Sequence, residues 1–197
     1  MKFYELDTLG EAADVDICII TKPPKGMGVK YTRLSNGKPA MEFYPEDANI
    51  TLETRYPGKR LSSLIGNTQN CLIVDSEMKN CIESFMGDNS EYLQFTLYDQ
   101  KKKLLSEDCF IVNPLGTIDC LNLIKSDINY NEDGDIIRIK RMVFKQKESH
   151  KFPVLFRVKQ WPSKYIINQT LYEEFIKNKF TNIVVDEVEI EQELPTG

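Results

Sequence analysis

An α+β fold, mostly antiparallel sheet and contained in one domain over residues 1–197, is what the sequence predicts. Strand-like runs outnumber helical ones, they do not alternate with helices as a doubly wound parallel sheet requires, and only two segments carry the three-and-four spacing of an amphipathic helix. A chain of 197 residues can bury a sizeable core without disulfides or a structural metal. With 41% hydrophobic and 28% charged residues it sits near globular averages, which sets aside wholesale disorder.

The first seventy residues are punctuated by Pro23-Pro24, Gly26, Gly28, Asn36-Gly37, Pro45 and Pro57-Gly58. Such residues mark turns, so this part reads as short strands (16–21, 41–44 and 51–54) joined by loops. From Cys71 a short apolar run leads into Asp75-Ser76, good helix-capping chemistry. Met78, Cys81, Ile82 and Phe85 then share one helical face, with Gly87 as the stop. Residues 92–99 alternate, with Leu93, Phe95 and Leu97 on the apolar side, as a half-buried strand does. Strands are also expected at 110–113 and 117–121, on either side of Pro114-Leu115-Gly116.

A polar loop at 129–135 contains Asp133-Gly134 and leads into strand-like residues 136–144. The last fifty residues read as strand 154–158, strand 165–167, helix 168–178 and strand 182–190. Thr170 and Glu173 are the capping-box candidates of that helix, and Leu171, Phe175 and Ile176 its apolar face.

The N-terminus has no apolar stretch of signal-peptide length and no run approaches a membrane span, so the expected location is cytoplasmic, with no membrane partner. Five cysteines, at 18, 71, 81, 109 and 120, form no CxxC pair and sit among apolar neighbours, which fits reduced core thiols. The single histidine, His150, lies in a polar stretch. No zinc spacing, phosphate-binding glycine loop or nucleophile elbow is present, so neither catalytic residues nor a metal or cofactor are expected. Residues 131–135 resemble an acidic calcium loop, but its twelfth position falls on Met142, which favours a hairpin turn.

Charge is unevenly spread. Between Arg138 and Lys164 nine basic residues face one acid, Glu148, for a local balance of +8, whereas from Glu173 to Gly197 seven acids and two lysines give −5. The basic stretch raises the alternative of a nucleic-acid-binding or regulatory module, disfavoured by the overall charge of −5. In the C-terminal strand Glu187, Glu189 and Glu191 project to one side. They read either as a guarded edge strand or as an acidic docking face for a basic partner.

From residue 71 onward the chain resembles a family of bacterial immunity proteins from polymorphic-toxin systems, first recognised as a domain of unknown function in myxobacterial and other proteobacterial proteins. The resemblance lies in the order of Ile73-Val74-Asp75-Ser76, Phe110-Ile111-Val112-Asn113 and Asp119-Cys120-Leu121-Asn122 with Ser126 behind it, then Leu155-Phe156-Arg157, Trp161 and Ile166-Ile167-Asn168. Where the family commonly has an acid after the Cys-Leu pair and a serine before the last helix, this chain has Asn122 and Asn168. The resemblance implies a cytoplasmic protein, not an enzyme, that neutralises a cognate toxin by binding it. Arg157 and Trp161, of residue types enriched at binding hot spots, join Glu187, Glu189 and Glu191 as candidate partner contacts. The alternatives are an enzyme using a cysteine or carboxylate site and the nucleic-acid module.

Overall fold

The computed structural model describes residues 1–146 and 151–191. Through its first half run β1 (Phe3–Leu6), β2 (Ile19–Ile20), β3 (Asn49–Thr51), β4 (Gly66–Asn67), β5 (Leu72–Asp75), α1 (Ser76–Met86) and β6 (Ser90–Tyr98). The second half adds β7 (Leu104–Pro114), β8 (Asp127–Tyr130), β9 (Ile136–Arg141), β10 (Val143–Phe144), β11 (Leu155–Val158), β12 (Trp161–Asn168), α2 (Gln169–Lys177) and β13 (Val185–Ile190). The fold is α+β, and most strand pairs are antiparallel.

Two sheets organise the molecule, one of four strands in the order β3, β6, β7, β5 and one of five in the order β10, β13, β1, β12, β11. Alternation along each strand sends side chains to two different cores. On the four-stranded sheet Ile73, Leu93, Phe95, Leu97, Cys109 and Ile111 face a cluster completed by the N-terminal segments, including Cys18, Ile20, Tyr31, Leu34 and Ile50. Leu72, Val74 and Val112 face the opposite way, into a cluster shared with both helices and with Leu6, Leu155, Tyr165 and Ile167 of the five-stranded sheet. The other face of that second sheet carries Phe3, Phe144, Phe156, Val158, Ile166 and Val188, covered by Cys120, Leu121 and Met142.

Both helices start on side-chain caps. Asp75 accepts a hydrogen bond from Met78 N at 2.8 Å, and Gly87, with φ of 48°, closes α1. Met78 and Ile82 are buried as expected, but Met86 takes the place assigned to Phe85, which is 41% exposed. The cap of α2 is Asn168, which accepts from Leu171 N at 3.0 Å; Glu173 bonds to Gln169 and leaves the expected capping box unmade. Leu171 and Phe175 are buried, whereas Ile176 points to solvent.

Several elements differ from the sequence expectation. Residues 41–43 form a short 3-10 turn, and a longer one spans Gly28–Asn36. Residues 117–121 follow a loop pinned by isolated bridges from Ile118 to Val158 and from Leu121 to Phe144. Residues 131–135 form the hairpin turn that the sequence favoured over a calcium loop, with Asn131 N donating to Asp135 O and Gly134 N to Asn131 O. β13 is not an edge strand: it pairs antiparallel with β1 on one side and parallel with β10 on the other.

Candidate functional site

Arg157, expected at a partner surface, has no exposed area. It lies opposite Tyr165 across β11 and β12, with its guanidinium carbon 4.2 Å from the centre of that ring. One terminal nitrogen donates to Leu34 O (2.5 Å), the Tyr165 hydroxyl (2.7 Å) and Asn113 Oδ1 (3.2 Å), the other to Pro162 O (2.7 Å), and Nε to Pro114 O (3.2 Å). No carboxylate forms an ion pair with it among the described residues; carbonyl and hydroxyl dipoles hold the charge instead. Asn113 in turn donates to Glu91, whose carboxylate receives the backbone N–H groups of Ala40 and Met41. Arg157 therefore ties both sheets to the N-terminal layer, and its planar fork is spent inside the protein. Trp161 is half-buried at the start of β12, opposite Val158, two strands away from the acids of β13.

The three glutamates of the C-terminal segment do share a surface, but each meets a cation of its own chain. Glu187 pairs with Lys2 at 2.9 Å, Glu189 with Arg141 at 2.9 Å and Glu191 with Lys125 at 2.8 Å. Lys125 beside Glu191, together with the Asn122 amide, holds the Glu191 carboxyl below its ordinary pKa. Glu189 and Glu191 border an open cleft of about 780 Å³, lined also by Ile124, Lys125, Arg141, Val143 and Ile190. Aliphatic side chains and two ion pairs thus alternate around one opening.

A tight turn over residues 122–126 forms one wall. Asn122 Oδ1 accepts from the backbone N–H groups of Ile124 (3.0 Å) and Lys125 (3.1 Å), its carbonyl from Ser126 N (3.0 Å), and its amide donates to Glu191 Oε2 (3.1 Å). An aspartate here would keep the turn but set a second carboxylate against Glu191. The Ser126 hydroxyl accepts from Val143 N at 3.0 Å and fastens the turn to β10. The turn leaves Leu123 48% and Ile124 96% exposed. In the sequence the signal for both is a pair of large aliphatics directly after a turn-forming asparagine.

Among the cysteines, burial pushes the thiols of Cys18 and Cys120 up to about 12 and those of Cys71 and Cys109 up to about 11. A nucleophilic cysteine needs the opposite shift, toward thiolate at neutral pH. His150 lies outside the described residues. Among the described residues several cations of the basic stretch are paired or buried: Lys145 and Lys159 converge on Asp119, Arg141 meets Glu189 and Lys164 meets Glu5, while Arg157 is buried. Among the described residues, that pairing breaks up the positive face that phosphate binding would use.

No curated protein matches the chain. A family model, described as an immunity protein family (Imm11), matches residues 17–189 and carries the resemblance read from residue 71 back into the N-terminal layer. With a match over most of its length, the chain belongs to the Imm11 immunity protein family.

Proposed function

We propose that this protein neutralises a cognate bacterial toxin by binding it directly, acting in the cytoplasm and without chemistry of its own. Membership of the immunity family carries the reading. The thiols support it, because burial holds them in the protonated, unreactive state. So does the internal pairing of the basic stretch, which takes away the main argument for a nucleic-acid module. Protection by sequestration requires a stable interface, and specific pairs commonly bury about 1,200 to 2,000 Å² in total.

The test is co-expression with the product of the adjacent toxin gene, followed by co-purification. Survival of the host together with a one-to-one complex is expected. Substituting each buried cysteine by Ala should leave protection intact in every variant that folds. Loss of protection in a folded Cys109→Ala or Cys120→Ala variant that still binds the toxin would show that a thiol performs chemistry and overturn the reading.

A further inference from the structure

Resting on the toxin-binding reading, we infer that the toxin docks on the N-terminal layer at Val29, Lys30, Arg33, Lys38, Met41 and Phe43, and meets that patch with an acidic surface. Residues 17–41 carry the cations Lys22, Lys25, Lys30, Arg33 and Lys38 and neither Asp nor Glu. Among the described residues only Lys22 of these forms an ion pair, with Glu53. The fold gathers three of the others. In the 3-10 turn Gly28–Asn36 side chains three apart share an edge; Tyr31 and Leu34 are buried, so Lys30 and Arg33 line a neighbouring edge. Both stand over the Phe43 ring, Lys30 Nζ at 3.9 Å and the Arg33 guanidinium carbon at 5.1 Å from its centre. Arg33 Nε donates to Pro39 O and Lys38 N to Arg33 O, which brings residues 38–39 against the same turn. Val29, next to Lys30, is 87% exposed, and Met41, two residues before Phe43, is 53% exposed.

Charge identifies the kind of partner. Glu42 is exposed between Met41 and Phe43, which sets three cations against one acid. Glu91 is spent inward: its carboxylate accepts the N–H groups of Ala40 and Met41 and the Asn113 amide, whose oxygen accepts from the buried Arg157. The positive charge at this surface is therefore left for carboxylates of a partner to meet. Exposed aliphatics are ordinary when single, and phosphate would engage the cations alone. Here Val29 and Met41 stand among the cations, and arginine, methionine and phenylalanine are types enriched at protein interfaces, so the patch suits a protein. A cation already held over an aromatic ring also loses less conformational freedom when a partner covers it.

The test measures binding of the full chain to the neighbouring toxin by surface-immobilised kinetics. Lys30→Glu combined with Lys38→Glu should slow association about ten-fold at low salt, and this difference should shrink as salt rises. Lys101→Glu combined with Lys102→Glu makes the same change in net charge at the exposed turn between β6 and β7, and should leave the rate within about two-fold. Met41→Asp should weaken the complex by about ten-fold or more, mainly through faster dissociation. Lys30→Gln with Lys38→Gln, and Met41→Ala, repeat both arms more mildly; circular dichroism confirms that each variant is folded. If the unaltered chain binds the toxin and every variant of Lys30, Lys38 and Met41 binds equally well, the docking face is wrong while toxin neutralisation stands. Equal slowing by the Lys101 and Lys102 pair assigns the effect to net charge, and the inference falls. If the chain binds a nonspecific DNA or RNA duplex and Lys30→Glu with Lys38→Glu abolishes that binding but spares the toxin, the patch serves phosphate and the inference is overturned. Should Met41→Asp dissolve a dimer of this chain but spare toxin binding, the patch serves self-association and the inference again falls. A chain that neither binds nor protects removes both readings.

Discussion

At the level of single residues, Arg157 shows how chemical type can suggest the wrong surroundings. Arginine is enriched at interfaces because its fork makes several directed hydrogen bonds at once. The same property suits it to the centre of a fold that must join distant carbonyls. Its acceptors at Leu34 and Pro114 lie 123 and 43 positions away, so no local pattern announces the role. Nearby, Gly37 adopts φ of 63°, and an added Cβ would lie 2.7 Å from Gly116 O and 2.9 Å from Arg157 Cδ, so the backbone closes tightly around the guanidinium. Removing the fork strands several buried acceptors. Arg157→Ala is expected to cost about 3 to 5 kcal/mol, in the range for breaking a buried, hydrogen-bonded charge site. Arg157→Lys keeps the charge but not the fork and should still lose about 2 kcal/mol. Urea unfolding measures both, and a midpoint unchanged in Arg157→Ala would show that the network contributes nothing to stability.

At the level of elements, the sequence was most legible where apolar spacing and capping agree. The four-stranded sheet shows its inward set at Leu93, Phe95 and Leu97, and α1 its cap at Asp75, because those signals are local. β7 was legible only in its last third, since Leu104–Asp108 is partly exposed and too polar to read as strand. The start of α2 is an instructive miss. Thr170 and Glu173 have capping-box spacing, yet Asn168 still pairs with Phe3 at the end of β12, so the chain leaves extended geometry there and the helix must begin at Gln169. The sheet decides which of two competent caps is used. Asn168→Ala should therefore cost about 1 kcal/mol, the usual loss for a helix cap, and Thr170→Ala less than about 0.5 kcal/mol. Urea midpoints at constant denaturant dependence compare them; equal losses would mean that the Asn168 cap has no special weight.

For the whole molecule, the first seventy residues, strand-and-turn-rich in the sequence, contribute a strand to each of the two large sheets. β3 joins β6, and β1 lies in the middle of the five-stranded sheet, between β12 and β13. Four residues, Phe-Tyr-Glu-Leu, are too few to show a period, and their two buried members face opposite cores: Phe3 meets the cluster with Phe144 and Phe156, Leu6 the one with Tyr165 and the helices. For the same reason the cleft bordered by Glu189 and Glu191 was only half legible. The acids could be read along β13, but the 122–126 turn and Arg141 that complete the cleft come from elsewhere in the chain. The family match begins at residue 17, so β1 precedes the matched span, yet β12 and β13 have no contact in the sheet order without it. Deleting residues 1–10 should therefore do more than shorten a terminus. It removes two side chains worth about 1.5 to 3 kcal/mol each on burial, along with both backbone ladders, and the total is large against the roughly 5 to 15 kcal/mol of a typical domain. It also opens two strand edges where one continuous sheet stood, which invites association. The truncated chain is expected to lose its cooperative urea transition and to elute as aggregates in size-exclusion chromatography, while Phe3→Ala alone, costing about 3 to 5 kcal/mol, should lower the midpoint but keep one transition. A cooperative transition at the original midpoint after the deletion would mean that β12 and β13 hold their places without β1, and that the centre of the second sheet is not where its stability resides.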